Sequence, residues 1–240
     1  MNILITICAR GGSKGIPKKN IRPVNGVPLI EYSIQHALAF AKETGADIEL
    51  STDDQEIIDT AASAGLSTEY KRPTELSSDT AGKLDAIRDV VLYAEKEKNK
   101  SYDYVLDLDV TSPLRTLEDL RQALAKIEST PDARNIFSVS PPAHNPYFDM
   151  VEKNENEYFN LVKKPEEQML SRQQGPEVYE LNASFYFYRR SFFDDDPMVL
   201  VKNSLVYVMP HVCFEIDEIL DMEFMEYLLQ NQKLDFEING

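Results

Sequence analysis

The sequence predicts an α/β fold, a doubly wound and mostly parallel sheet. Three observations carry this. The N-terminal run Ile3 to Cys8 is almost continuously apolar, as a strand covered on both faces must be. Short apolar runs then alternate with helical stripes through the first 140 residues. The length, 240 residues, suits one α/β domain with a core of useful size.

The elements follow in order. Asn25-Gly26 marks a turn, and Pro28 fits a helix start before a stripe of Ile30, Ile34, Ala37, Leu38 and Ala41. Ile48 to Leu50 predicts a short strand. Ser51-Thr52-Asp53 can cap the next helix, whose stripe is Ile57, Ile58, Ala61 and Ala62. A loop from Lys71 to about Asp79 precedes a helix carrying Leu84, Ile87, Val91 and Ala94 on one face. Tyr104 to Asp109 is a strand ending in the polar turn Thr111-Ser112-Pro113. Thr116 caps a helix with Leu117, Leu120, Leu124 and Ile127 inward, and Ile136 to Val139 is another strand.

The pattern breaks at Pro141-Pro142. Residues 144–175 are polar, charged and irregular, and a stretch of that length suggests an inserted lobe within one domain spanning 1–240. Regular structure resumes with strands at Ser184 to Tyr188 and Leu205 to Met209, then a helix from about Leu220 to Gln230.

Composition excludes several classes. The net charge of −16 argues against a broad nucleic-acid or membrane footprint. No apolar run approaches the roughly 20 residues of a membrane span, and Ile3 to Cys8 is too short for a signal sequence. Cys8 and Cys213 form no CxxC pair and read as buried thiols of a reducing cytoplasm. His36, His144 and His211 show no ligand spacing, and Asp194-Asp195-Asp196 before Pro197 reads as a solvated turn.

The chemistry concentrates after the first strand, in Ala9-Arg10-Gly11-Gly12-Ser13-Lys14-Gly15-Ile16-Pro17-Lys18-Lys19-Asn20. Glycines let backbone approach a phosphate, and amides, Arg and Lys neutralise it. The spacing is neither a Walker A loop nor GxGxxG. The loop falls at the carboxyl end of the strand, where open α/β sheets bind ligands. Far downstream, Glu215 and Asp217 lie two apart and share a face if extended. Read alone, Glu215, Asp217, Glu218 and Asp221 are an acidic helix start.

These segments resemble the CMP-sialic acid synthetase (acylneuraminate cytidylyltransferase) family. The glycine loop is similar to the family's signature, and so, in order, are Ser51-Thr52-Asp53, Arg72-Pro73-Thr74-Glu75-Leu76, Asp79-Thr80-Ala81 and Thr111-Ser112-Pro113-Leu114-Arg115. Arg172-Gln173, Asn182-Ala183-Ser184, and Phe214-Glu215-Ile216-Asp217 with Asp221 complete the likeness. The resemblance implies a nucleotide-diphospho-sugar transferase-like fold and transfer of CMP from CTP to the anomeric hydroxyl of an acidic nine-carbon sugar, releasing pyrophosphate.

Residue by residue, it implies that Arg10, Gly11, Lys14, Lys19, Asn20, Arg72 and Lys83 hold the nucleotide. Asp109, Thr111, Ser112, Arg172, Gln173, Asn182 and Tyr186 would face the sugar. Asp217 and Glu215 would ligate Mg²⁺, with Arg10, Lys19 and Asp217 catalytic. Lys19 is expected as an exposed charge. A homodimer formed through the 144–175 lobe is implied as well. Asp109 stands where the family commonly has Gln, Glu215 where it has Asp, and Lys83 where it has a small hydroxyl residue. The run Leu106-Asp107-Leu108-Asp109 with Asn182-Ala183-Ser184 is most similar to the legionaminic acid branch. The alternatives are a Kdo-type cytidylyltransferase and a non-catalytic nucleotide-sugar-binding protein.

Overall fold

A computed structural model describes residues 1–12, 15–78, 80–164, 175–195, 198 and 200–238. Strand β1 (Ile3–Cys8) lies one strand in from the edge of a six-stranded sheet. Its neighbours are β4 (Asp47–Ser51) and β5 (Tyr104–Leu108), both parallel to it. Beyond β5 come β9 (Glu180–Arg189), β6 (Asn135–Ser140) and β10 (Ser204–Val208), giving the order β10-β6-β9-β5-β1-β4. Strand β9 runs antiparallel to both β5 and β6. The sheet is therefore mostly parallel, as the alternation of elements predicts, with one reversed strand inside it.

The strands alternate sides. Ile3, Ile5, Ile7, Leu106, Leu108, Phe185 and Phe187 pack with α1 (Leu29–Thr44) and α4 (Leu117–Glu128) in the larger core. Leu4, Val105, Tyr186 and Tyr188 face the opposite side and pack with α3 (Lys83–Lys98). By the period of two, Thr6 and Asp107 also point to the α3 side, and Thr6 Oγ1 donates to Asp107 Oδ1 at 2.9 Å. Helix α2 (Gln55–Ser63) and α5 (Ile219–Gln230) complete the fold, with a small hairpin of β2 (Pro23–Val24) and β3 (Val27–Pro28) around the Asn25-Gly26 turn. Among the described residues no helix is long and apolar enough to cross a membrane.

Local chemistry shifts some predicted boundaries. Asp54, not the Ser51-Thr52-Asp53 triplet, caps α2: its side chain accepts the Glu56 N–H. Asp53 is drawn away to accept the Gly11 N–H at 3.0 Å. Strand β9 starts four residues before the predicted Ser184, because Ala183 adopts a left-handed φ of 57° where the β6–β9 register shifts, and the strand continues through that irregularity. In the lobe, the described residues are not wholly irregular. Strands β7 (Val151–Lys153) and β8 (Phe159–Leu161) form an antiparallel hairpin, and Asn154 Oδ1 accepts the N–H groups of Asn156 and Tyr158 in its turn.

His36 is buried on α1, as a structural histidine should be. Its Nδ1 donates to the Tyr32 carbonyl at 2.7 Å, and Nε2 has no partner among the described residues. Burial, reinforced by the positive charge of Arg115, lowers its pKa to about 4. The unfolded chain therefore binds this proton first as pH falls. The contribution to stability is whole above pH ~6.5 and is lost as pH falls toward 4, up to ~3 kcal/mol. Urea unfolding across pH 7 to 4 should show this slope, and His36→Leu should flatten it. An identical pH dependence in the variant would remove His36 as the cause.

Candidate active site

The carboxyl ends of β1 and β5 open onto a cleft of about 480 Å³. Nine of the expected site residues line it: Arg10, Lys19, Asn20, Arg72, Lys83, Asp109, Thr111, Glu215 and Asp217. The fold brings them from five separate segments. Asn20 is buried and donates from Nδ2 to the Arg10 carbonyl at 2.9 Å, which sets the curve of the glycine loop. Gly15 passes so near residue 217 that an added Cβ would lie 3.0 Å from the Asp217 carbonyl oxygen. A side chain there would push the loop off the acidic segment.

The segment carrying Glu215 and Asp217 is fastened from below. Ile216 N–H donates to the Thr111 carbonyl at 2.7 Å, and Ser112 Oγ donates to the Phe214 carbonyl at 3.1 Å. Lys19, expected as an exposed charge, is only 14 % exposed. Its Nζ donates to the Ile216 carbonyl at 2.7 Å and lies 3.3 Å from Asp217 Oδ1. It links the glycine loop to the acids and contributes packing as well as charge. Glu218 and Asp221 are the acidic helix start foreseen from sequence, forming the capping box of α5. Glu215 and Asp217 stand outside it and face the cleft.

The acids differ in environment. Burial alone would raise the Asp109 pKa, but Lys83 and the Thr111 N–H and hydroxyl hold it down at about 2. Glu215 is raised, first by burial and then by the charges of Asp109 and Asp217. Thr111 has a single hydroxyl proton. It sits 2.8 Å from Asp109 and 3.3 Å from Glu215, so Asp109 takes it when both acids are ionised. Cys8 touches the cleft, but burial pushes its thiol up to about 12, which leaves it unreactive.

Other expected residues sit elsewhere. Gly11 lies beside the cleft with its N–H committed to Asp53. Ser112 and Asn182 are buried behind the wall. Asn182 accepts from Ser138 Oγ at 2.6 Å and donates to Ser140 Oγ at 2.9 Å. Tyr186 lies under Lys83, whose Nζ is 5.4 Å from the ring centre. Lys14, Arg172 and Gln173 lie outside the described residues.

One residue of the site was quoted in a motif without a role. Arg115 has no exposed surface, yet it carries a guanidinium. Nη2 donates to the carbonyls of Asp109 and Ser112 at 2.5 and 2.6 Å, Nε to Ser184 Oγ at 2.9 Å, and Nη1 to Ser33 Oγ at 3.2 Å. Spacing within the sequence gives no signal that these partners converge.

Among the described residues no group of three or more His, Cys, Asp or Glu side chains is arranged to hold a metal. Glu215 and Asp217 still fit Mg²⁺, which takes one or two carboxylates and fills the rest of its octahedron with phosphate oxygens and water. Both acids are open to the cleft, and Asp217 is 67 % exposed.

A glycine loop, a row of cations and an acid pair over the ends of a parallel sheet define a nucleotide-handling α/β transferase. The cytidylyltransferase family matches residues 4–238, and this chain belongs to it as a nucleotidyltransferase. The CMP-N,N'-diacetyllegionaminic acid synthase of Campylobacter jejuni is 36% identical over 233 residues, covering 97% of each chain. The post-translational flagellin modification protein B of Campylobacter coli is 35% identical over the same length and coverage. A pseudaminic acid cytidylyltransferase of Campylobacter jejuni is 32% identical over 236 residues, covering 95% of this chain and 96% of that one. In three dimensions, a CMP:2-keto-3-deoxy-manno-octonic acid synthetase complexed with CTP matches with a TM-score of 0.67 at 17% identity, covering 97% of this chain and 100% of that one. At that identity the likeness speaks to fold.

Arg115→Met should destabilise the chain by on the order of 3 kcal/mol or more, because it removes four charge-assisted hydrogen bonds at a fully buried position and leaves only the Ser33–Asp109 and Ser184–Ser112 bonds to join the three elements. The shift of the urea midpoint measures this. A change under about 1 kcal/mol would mean that the guanidinium is dispensable to the fold.

Proposed function

We propose that this chain transfers CMP from CTP to the anomeric hydroxyl of a nonulosonic acid, a sialic-like sugar with legionaminic acid foremost, releasing pyrophosphate. The observation that carries the reading is the convergence of the glycine loop with Glu215 and Asp217 across one cleft, held by Lys19 and Gly15. The relatives named above for legionaminic and pseudaminic acids support the substrate class.

In this reading Arg10 and Lys19 neutralise the triphosphate, and Asn20 holds the loop around it. Arg72 borders the nucleotide from its anchorage on Ser51, to which Nε and Nη2 donate at 2.9 and 2.7 Å. Asp109 and Thr111 face the sugar. Attack on the α-phosphorus gathers charge on phosphoryl oxygens, so positioning and electrostatics are the main contributions of the protein. Asp217, which lines the cleft, takes the proton of the attacking hydroxyl in this reading. Mg²⁺ held by Glu215 and Asp217 would supply charge neutralisation at the phosphates.

We also propose a cytoplasmic homodimer formed through the lobe. Val151, Tyr158 and Phe159 of its hairpin are 60%, 74% and 64% exposed, and apolar side chains so exposed on one small hairpin suit a second copy. Sedimentation equilibrium should give twice the chain mass, and a monomer at micromolar concentration would exclude the dimer.

The deciding experiment supplies CTP, Mg²⁺ and a panel of legionaminic, pseudaminic, N-acetylneuraminic and Kdo acids, with products identified by mass. A CMP-nonulosonate is expected, and Asp217→Asn should lower kcat by a factor on the order of 10² with the fold intact. Turnover of Kdo alone would replace the substrate class. No turnover of any acid despite CTP binding would favour the non-catalytic alternative.

A further inference from the structure

Lys83 is not placed as a free phosphate-binding cation. It is the first residue of α3, at the positive end of the helix dipole, where an ammonium is disfavoured. Two carboxylates hold it there. Its Nζ lies 2.8 Å from Asp107 Oδ2 and 2.6 Å from Asp109 Oδ2. The Tyr186 ring closes a third side, 5.4 Å from Nζ to its centre.

Asp107 makes this arrangement hard to undo. It is fully buried on β5, and Thr6 occupies its other oxygen. If Lys83 swung toward a ligand, Asp107 Oδ2 would be left as an uncompensated charge inside the protein, a cost of several kcal/mol. The lysine therefore stays. Asp107 is a positioning residue that fixes Lys83 against Asp109.

The consequence concerns metal. Two oxygens flanking one ammonium at these distances lie at most about 5.4 Å apart, a gap that a small inward shift would close to the span of a divalent cation with carboxylate bonds of ~2.1 Å. The ammonium fills that gap. At the other end of the acid row, Lys19 reaches only one oxygen of the exposed Asp217, at 3.3 Å. Glu215 makes no ion pair with a cation among the described residues. The two lysines thus treat the four acids unequally: one pair is closed and the other open.

We propose that Lys83 acts as a built-in monovalent cation that occupies the Asp107–Asp109 pair and confines divalent metal to Glu215 and Asp217. This rests on the reading of Glu215 and Asp217 as the metal pair. It deepens that reading by fixing the number of sites at one, with Asp109 left to face the sugar.

The test is binding of Mn²⁺ alone to the full chain, followed by loss of the free-ion paramagnetic resonance signal. One ion per chain is expected. Asp109→Asn, which keeps an acceptor oxygen and size, should leave number and affinity within about threefold. Lys83→Met should bind two ions. Two ions on the unsubstituted chain, or a tenfold loss of affinity in Asp109→Asn, would overturn the proposal while leaving Glu215 and Asp217 as ligands. Retention of one ion by a folded Lys83→Met chain would overturn it as well. If that variant melts, Asp109→Asn decides. No binding to the unsubstituted chain, or full binding to the Glu215→Gln/Asp217→Asn chain, would overturn the metal reading and the proposal together.

Discussion

The site is organised around one buried cation. Arg115 brings a full charge into the interior and meets no carboxylate there, only two backbone carbonyls and two serine hydroxyls. Burial lowers its pKa, but only to about 10, so it stays charged near neutrality. The four acceptors come from β9, α1 and the turn after β5, which makes the guanidinium a common anchor for three elements. Its hold on the Asp109 carbonyl turns that backbone group inward. The Asp109 side chain faces the other way, onto the cleft, where Lys83 and Thr111 receive it. The cleft surface is thus set from behind.

The same logic answers how a strongly acidic protein can receive anions. A net charge of −16 repels CTP at long range, but screening confines that field to about 8 Å at physiological salt. Within the cleft the balance is local. Arg10, Lys19, Arg72 and Lys83 all reach it, yet Arg72 is anchored on Ser51 and Lys83 is taken by Asp107 and Asp109. Arg10 Nη1 donates to the Ser78 carbonyl at 3.1 Å and Lys19 Nζ to the Ile216 carbonyl at 2.7 Å, so each of the four already serves the protein's own structure. Affinity for a triphosphate then depends on loop backbone and bound cation more than on the count of basic residues.

Most of the sheet was legible in sequence because its strands are short apolar runs between strong helical stripes. The direction of β9 was not, since a period of two is the same forward and backward. The cleft was legible where a motif lies at a strand end, as with Arg10, Asp109 and Thr111. It was less so where a motif residue builds the wall: Ser112 and Asn182 spend their side chains on Phe214, Ser138 and Ser140. A motif marks a position that the site needs and does not say whether the side chain touches ligand or holds up what does. Arg115 is the extreme case, with every partner contributed by packing.

The pairing of Lys83 with Asp107 was illegible for a related reason. Asp107 occupies an inward position of a central strand, where an apolar residue would be expected, and only three-dimensional register shows that the α3 N-terminus delivers a cation to it. An unpaired carboxylate at that depth would be protonated or would destabilise the strand. Removing one partner should therefore cost far more than removing both: Lys83→Met strands a buried charge, whereas Lys83→Met with Asp107→Leu replaces an ion pair with packing. Exchanged together, the two residues would leave the strand intact and Asp109 alone at the mouth of the cleft. The identity of residue 83 thus decides whether Asp109 meets ligand as a lone anion or as half of an ion pair. That makes a buried strand residue, two positions from the cleft, part of the chemistry the cleft presents.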